Sequence, residues 1–128
     1  MSRWLAALSE ALAARQSRTA LSGLARSLIE HLRVHFEHEE NDGFFASITR
    51  HAPWLADRST AVENQHPKLM AELETFAAQT GGAGDGDQDW WHKRDQEFRA
   101  FVGNFEKHEE EEHRLLQEAY DRDQGARD

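Results

Sequence analysis

The sequence predicts an all-α protein, an up-down-up-down four-helix bundle with a short first helix. The first observation is composition, because the chain has only 2 prolines and many Ala, Leu, Glu and Arg residues, which favour helix. The second is periodicity, since apolar residues recur at spacings of three and four in four segments. The third is that short connections join these segments, as in antiparallel bundles. The 128 residues suffice for one domain, and we expect it to span residues 1–123, with a frayed tail over 124–128.

The first helix is predicted to run from about Ser2 to Ala14, and the second is predicted to be much longer. Ser17 can cap the second helix, because its side-chain oxygen can accept a hydrogen bond from a backbone N–H of the first turn. Gly43 can end this helix, since glycine adopts the left-handed conformation at little cost. The apolar stripes of the two helices comprise Trp4, Leu5, Leu8, Ala11 and Leu12, and Leu21, Leu24, Leu28 and Leu32.

The third helix is predicted from about Asp57 to Ala78, after a short helical turn that follows residues 44–48. Pro67 lies inside this helix and has no backbone N–H to donate. We therefore expect a kink, or a late start of the helix, near His66. The apolar stripe of this segment comprises Val62, Leu69, Leu73 and Phe76.

The fourth helix is predicted from about Gln88 to Asp121, after a flexible loop. The loop is predicted over residues 80–87, because glycine recurs there between polar residues. An apolar stripe follows the loop and again repeats at spacings of three and four. Its members are Phe98, Phe101, Phe105, Leu115 and Ala119.

Composition excludes several classes of function. A formal net charge of −9 argues against nucleic acid and anionic membranes as partners, because both are polyanions. The absence of cysteine excludes disulfides, thiolate zinc sites and iron–sulfur clusters. No segment approaches the ~20 apolar residues of a membrane span, and Ser9 and Glu10 interrupt the apolar run at the start. We therefore expect a cytoplasmic protein. Its 8 histidines are many for this length and indicate metal chemistry.

Histidine and glutamate occupy the apolar stripes at positions where core residues are expected. His35 and Glu39 follow the leucines of the second helix, and His66 lies between Val62 and Leu69 in the third. The fourth helix carries His108 and Glu112 in its stripe. A carboxylate facing a core costs several kcal/mol unless it is paired or bound to metal. Residues four apart lie one turn apart on the same face. The register of the helices brings the three histidines to a similar height, which predicts a metal site formed by His35, Glu39, His66, His108 and Glu112.

These segments resemble the motifs of the hemerythrin-like (HHE cation-binding) domain family. The run HFEHEE at residues 35–40 is similar to the HFxxEE signature, His66 with Leu69 resembles the H-x-x-L segment, and residues 108–112 are similar to the final H-x-x-x-E. The resemblance implies a non-heme di-iron centre and reversible O2 binding, O2 or redox sensing, or iron handling. It also implies O2 or another small exogenous ligand as partner. The implied nitrogen ligands are His35, His66 and His108, and the implied bridging carboxylates are Glu39 and Glu112.

The chain departs from that family pattern at two places, and alternatives follow. The first helix carries no histidine, and Met70 stands where O2-carrying hemerythrins have a second histidine. We therefore expect open coordination positions on the side of the first helix. His31 is an alternative ligand, and Glu63 is expected to partner His66. Glu40 and residues 109–111 are expected to form a solvated acidic face.

Three classes of function stay open from the sequence. The first is a metal-binding protein, whose ligand set suits iron and would also accept zinc or manganese. A metal-dependent oxidase or peroxidase would use the same site, with open coordination positions for O2 or peroxide. A metal-free helical interaction domain would instead pair the polar residues with one another in a hydrogen-bonded network.

Overall fold

The computed structural model describes residues 2–82 and 86–127, with side chains described as far as Asp121. Within these ranges most residues are helical and no β-strand occurs, so the predicted all-α class is confirmed. None of the described helices is both long and apolar enough to cross a membrane. The helices are α1 (Ser2–Ala13), α2 (Arg18–Asn41), α3 (Phe44–His51), α4 (Ala56–Glu63), α5 (Gln65–Thr80) and α6 (Gln88–Arg127), with a 3-10 turn over Pro53–Leu55.

The ends of α2 are set by the residues that the sequence supplies there. The backbone N–H of Ala20 donates to the side-chain oxygen of Ser17 at 3.1 Å, so Ser17 caps the helix as predicted. At the other end the backbone N–H of Asp42 donates to the carbonyl of His38 at 2.8 Å. Gly43 follows with a φ of 91°, a left-handed conformation that costs glycine little. This residue turns the chain directly into α3.

The predicted third helix is in fact two helices, which corrects the expectation of one helix from Asp57 to Ala78. α4 and α5 meet at Asn64. Pro67 is the third residue of α5, within a first turn whose backbone N–H groups have no partner inside the helix. Its missing donor therefore costs little at this position. The disruption expected near His66 lies just before that residue, and it is a break between helices.

Two helices are longer than the sequence predicts. The short turn expected after residues 44–48 is part of α3, an eight-residue helix. α6 continues to Arg127 and so passes its predicted end at Asp121. Residues 124–127 are helical in backbone and Asp128 lies outside the described residues. The fraying expected over 124–128 stays a prediction.

The helices enclose two apolar clusters, and the polar residues of the site lie between them. α1 packs against α2 and α6, and α5 packs against the same two helices. The larger cluster fills the space between these four helices and includes Phe36, Leu69 and Phe105. A smaller cluster joins α3, α4 and α6 and includes Val62 and Leu115. Because His66 and His108 lie between these residues in the sequence, they are placed where the two clusters meet.

Candidate metal centre

Three helices bring four ligand-type side chains together at the junction of the two clusters. Glu39 lies in the last turn of α2, and His66 is the second residue of α5. His108 and Glu112 lie one turn apart on α6. One ligand atom from each of these four residues lies within 4.8 Å of the other three. Four of the five residues predicted as ligands are thus brought to one point.

The separations within this group are short enough for all four residues to reach one cation. His66 Nε2 lies 3.2 Å from Glu39 Oε1 and 3.9 Å from Glu112 Oε2. His108 Nε2 lies 3.3 Å from Glu112 Oε2. The side chains of His66 and His108 are 4% and 1% exposed, so water does not reach most of their surface. The group combines two imidazoles and two carboxylates in a largely buried setting.

The facing atoms of this group have no hydrogen-bond partner, although they are close to one another. Among the described residues, the buried side-chain polar atoms without a hydrogen bond are Arg18 Nε and four atoms of this group: Glu39 Oε1, His66 Nε2, His108 Nε2 and Glu112 Oε2. Leaving a buried polar atom unpaired costs about 1–3 kcal/mol, so natural cores rarely do so. A metal ion bound between them would satisfy all four atoms. The chemistry of the donors therefore fits a transition-metal ion.

The opposite nitrogen of each imidazole is held by a hydrogen bond. His66 Nδ1–H donates to Glu40 Oε2 at 2.8 Å, and His108 Nδ1–H donates to Gln65 Oε1 at 2.7 Å. The Gln65 amide group donates in turn to Glu111 Oε2 at 3.0 Å. Histidines that bind metals commonly donate their second ring N–H to a carboxylate or carbonyl oxygen. This bond fixes the ring and leaves Nε2 to bind a metal once any proton on that nitrogen has been released.

The carboxylates and imidazoles perturb one another strongly in the protein without metal. Burial raises the pKa of Glu39 to about 7. Burial alone would lower the pKa of His66, but the three carboxylates around its ring outweigh burial and raise it to about 10. Burial would likewise raise the pKa of Glu112, but the imidazoles of His108 and His66 beside its carboxylate hold the pKa well below its usual range. The site therefore retains protons at neutral pH, and a cation of higher charge would replace them.

Two phenylalanine rings pack against the imidazoles of the group. The His66 ring stacks on Phe36 with a centroid distance of 3.8 Å and an interplanar angle of 5°. Phe45 meets the same ring edge-on at 5.5 Å, and Phe36 meets His108 edge-on at 5.7 Å. Phe36 belongs to the larger apolar cluster and Phe45 to the smaller one. Electrostatic interactions in such a setting are stronger than they are in water.

His35 lies beside the group and is not one of its four members. Its Nε2 is 3.8 Å from Glu39 Oε2, and 37% of its side chain is exposed. Its ring lies edge-on to Phe105 at 6.4 Å, and burial lowers its pKa. The ligand role predicted for His35 stays a prediction. His31, the alternative ligand, is exposed on α2 and its ring lies 6.0 Å from that of Trp4.

Two residues that support the site were not predicted from the sequence. Glu40 was expected in a solvated acidic face, but it is the carboxylate that accepts from His66 Nδ1, a role expected of Glu63. The break at Asn64 explains this correction, because Glu63 ends one helix and His66 belongs to the next. Gln65 was not singled out at all. The feature that could have indicated this role for Glu40 is its position next to Glu39 at the end of α2, opposite the start of α5.

Comparison with known proteins identifies no relative whose function could be transferred to this chain. No family model, curated protein or solved structure matches the chain. The candidate metal centre therefore stands on the geometry and chemistry of the residues themselves.

Proposed function

We propose that this protein binds a transition metal, iron before zinc or manganese, in the buried group formed by Glu39, His66, His108 and Glu112. The observation that carries the proposal is that the four facing atoms of this group are buried and lack hydrogen bonds. Imidazole and carboxylate donors suit iron, zinc and manganese, and disfavour metals that prefer sulfur. Iron is placed first because the motifs resemble those of hemerythrin-like domains.

We further propose that the helices form a hemerythrin-like up-down-up-down bundle. The contacts at both ends of α2 and α5 support opposite directions for these two helices. The end of α2 meets the start of α5 where Glu39 approaches His66, and the start of α2 meets the end of α5 where Arg18 donates to the Gly81 carbonyl at 2.7 Å. Trp4, near the start of α1, lies beside His31 in the second half of α2. This arrangement is the one expected of helices joined in sequence by short connections.

The proposed biological role is O2 binding, O2 or redox sensing, or iron handling, with O2 or another small molecule as exogenous ligand. Bound iron supplies the affinity for that ligand and the capacity for a redox change. The chain supplies orientation and a dry environment. Glu40 and Gln65 hold the two imidazole rings, and Phe36 and Phe45 exclude water from His66. The cytoplasmic location expected from the sequence stays a prediction.

The test of this proposal is the metal content of the full chain after expression with added iron, measured by elemental analysis. We expect bound iron in the wild-type protein and a near-complete loss in His108→Ala. His92→Ala is the matched control, because His92 lies on the same helix and is exposed. Circular dichroism should establish that each variant is folded. Less than a tenth of an ion per chain in a folded wild-type protein would overturn the proposal.

The same experiment separates the two alternatives. A metal-free interaction domain would remain folded and retain no metal at any supplied concentration. The unpaired buried atoms weigh against that alternative, because a metal-free network is expected to pair its buried polar groups. A metal-dependent oxidase or peroxidase would bind metal and also consume peroxide or O2 over many turnovers, so turnover by the loaded protein would distinguish an enzyme from a carrier or sensor.

A further inference from the structure

We infer that the buried group holds one metal ion and not two, and that His35 lies outside the coordination sphere of that ion. The inference rests on the proposed function, since it specifies the number of ions in the proposed site. It differs from the pair of ions that the resemblance to hemerythrin-like domains implies. The reasons are the spacing of the four donor atoms, the fixed direction of the two imidazoles, and the donors present on the side of His35.

Two of the three measured separations between donor atoms suit a single centre. Ligands held about 2.0–2.1 Å from one tetrahedral ion lie about 3.3 Å from one another. Two of the measured separations are 3.2 and 3.3 Å, and the third, between His66 Nε2 and Glu112 Oε2, is 3.9 Å. All four atoms fall within 4.8 Å of one another. Two ions about 3.5–4 Å apart would instead need terminal ligands on the two outer sides of the pair.

Both imidazoles that are fully buried point to this one centre. His66 and His108 each have Nδ1 engaged in a hydrogen bond, with Glu40 and Gln65 respectively. Each therefore has only Nε2 to offer, and both of these atoms face Glu112 Oε2, at 3.9 and 3.3 Å. Neither ring can turn to serve a second ion without breaking its Nδ1 hydrogen bond. The two strongest nitrogen donors are thus committed to the same ion.

A second ion on the side of His35 would meet one imidazole and mostly exposed carboxylates among the residues that line the pocket there. Glu39 Oε2 faces His35 Nε2 at 3.8 Å, so one carboxylate oxygen and one imidazole are present there. The side chains that line the adjoining open pocket of about 370 Å³ include Ser2, Leu5 and Phe105, none of which is a strong metal ligand. Glu106 and Glu109 also line this pocket, but both residues are exposed. No second imidazole lines the pocket, so the two nitrogen donors of the first centre have no counterpart here.

The direct test is the number of ions that the metal-free full chain binds. Fe2+ is added without oxygen, with Co2+ in a parallel titration, and the equivalence point gives the number of ions per chain. We expect one ion. Oxidation of the iron-loaded protein should then give the electron paramagnetic resonance signal of isolated high-spin ferric iron, whereas a coupled diferric pair would give none.

The variants His35→Ala and His66→Ala test the ligand assignment, with His92→Ala as the exposed control. We expect His35→Ala to bind one ion with an affinity within about threefold of wild type, and His66→Ala to bind at least about 100-fold more weakly. Two ions in the wild type, reduced to one in His35→Ala, would overturn the inference while leaving the proposed function intact. Loss of the only ion in His35→Ala would also overturn it. No ion in the folded wild type would overturn the proposed function itself.

Discussion

Removal of the carboxylate of Glu40 should weaken metal binding, although Glu40 is not one of the four facing residues. Its Oε2 accepts from His66 Nδ1–H at 2.8 Å, and this bond fixes the ring with Nε2 toward Glu39. Loss of such a partner typically costs 10–100-fold in metal affinity. The Glu40 side chain is 43% exposed, so water screens part of the interaction. We therefore expect a loss near the lower end for Glu40→Ala, about 10-fold or 1.4 kcal/mol.

The assay is competition with a chromophoric chelator, titrated into the metal-loaded protein at constant pH. Glu40→Gln should lose less affinity than Glu40→Ala, because the amide oxygen can still accept the hydrogen bond while the charge is removed. Glu37→Ala is the matched control, since Glu37 is an exposed glutamate of the same helix. Equal affinities for wild type, Glu40→Ala and Glu37→Ala would refute the reasoning that Glu40 orients His66.

Three further predictions concern protons, stability and charge. Metal binding at pH 7 should release about one proton from His66 and about half a proton from Glu39, because their pKa values in the metal-free protein are about 10 and 7. Metal affinity should therefore rise with pH. Calorimetry in buffers of different ionisation enthalpy measures the proton release, and a release of zero would contradict the reasoning. Removal of the metal should lower the melting temperature at neutral pH, because only the folded chain presents the assembled site; an unchanged melt after verified removal would mean that the buried acids have protein partners. Glu112→Gln should lose most of its bound iron while Glu110→Gln, an exposed control on the same helix, keeps it; equal iron contents in the two variants would contradict a ligand role for Glu112.

The positions of His108 and Glu112 illustrate what the sequence predicts well. Both lie on one stripe of a long helix, and a stripe fixes which side of a helix faces the core. The structure buries His108 and Glu112 together with His66, as the pattern indicates. The all-α class follows from the same periodicity. Both predictions depend only on regular helix geometry, which short-range spacing captures.

The positions of Glu40 and His35 show why the rest could not be predicted. Glu40 is one residue from Glu39, about 100° around the helix, and this rotation indicates solvent. The break at Asn64, however, brings the start of α5 against the last turn of α2, where Glu40 reaches His66. His35 shares a face with Glu39, but the flexible Glu39 side chain directs Oε1 to His66 at 3.2 Å. Helix breaks and carboxylate orientation depend on contacts between distant segments, which spacing alone does not encode.

Anomalous diffraction from crystals of the iron-loaded protein tests most directly whether the two buried imidazoles and the two carboxylates bind a transition metal. We expect one strong anomalous peak about 2.0–2.2 Å from the facing atoms of Glu39, His66, His108 and Glu112. Iron-loaded crystals in which the peak lies elsewhere, or in which no peak appears between these four side chains, would contradict the claim.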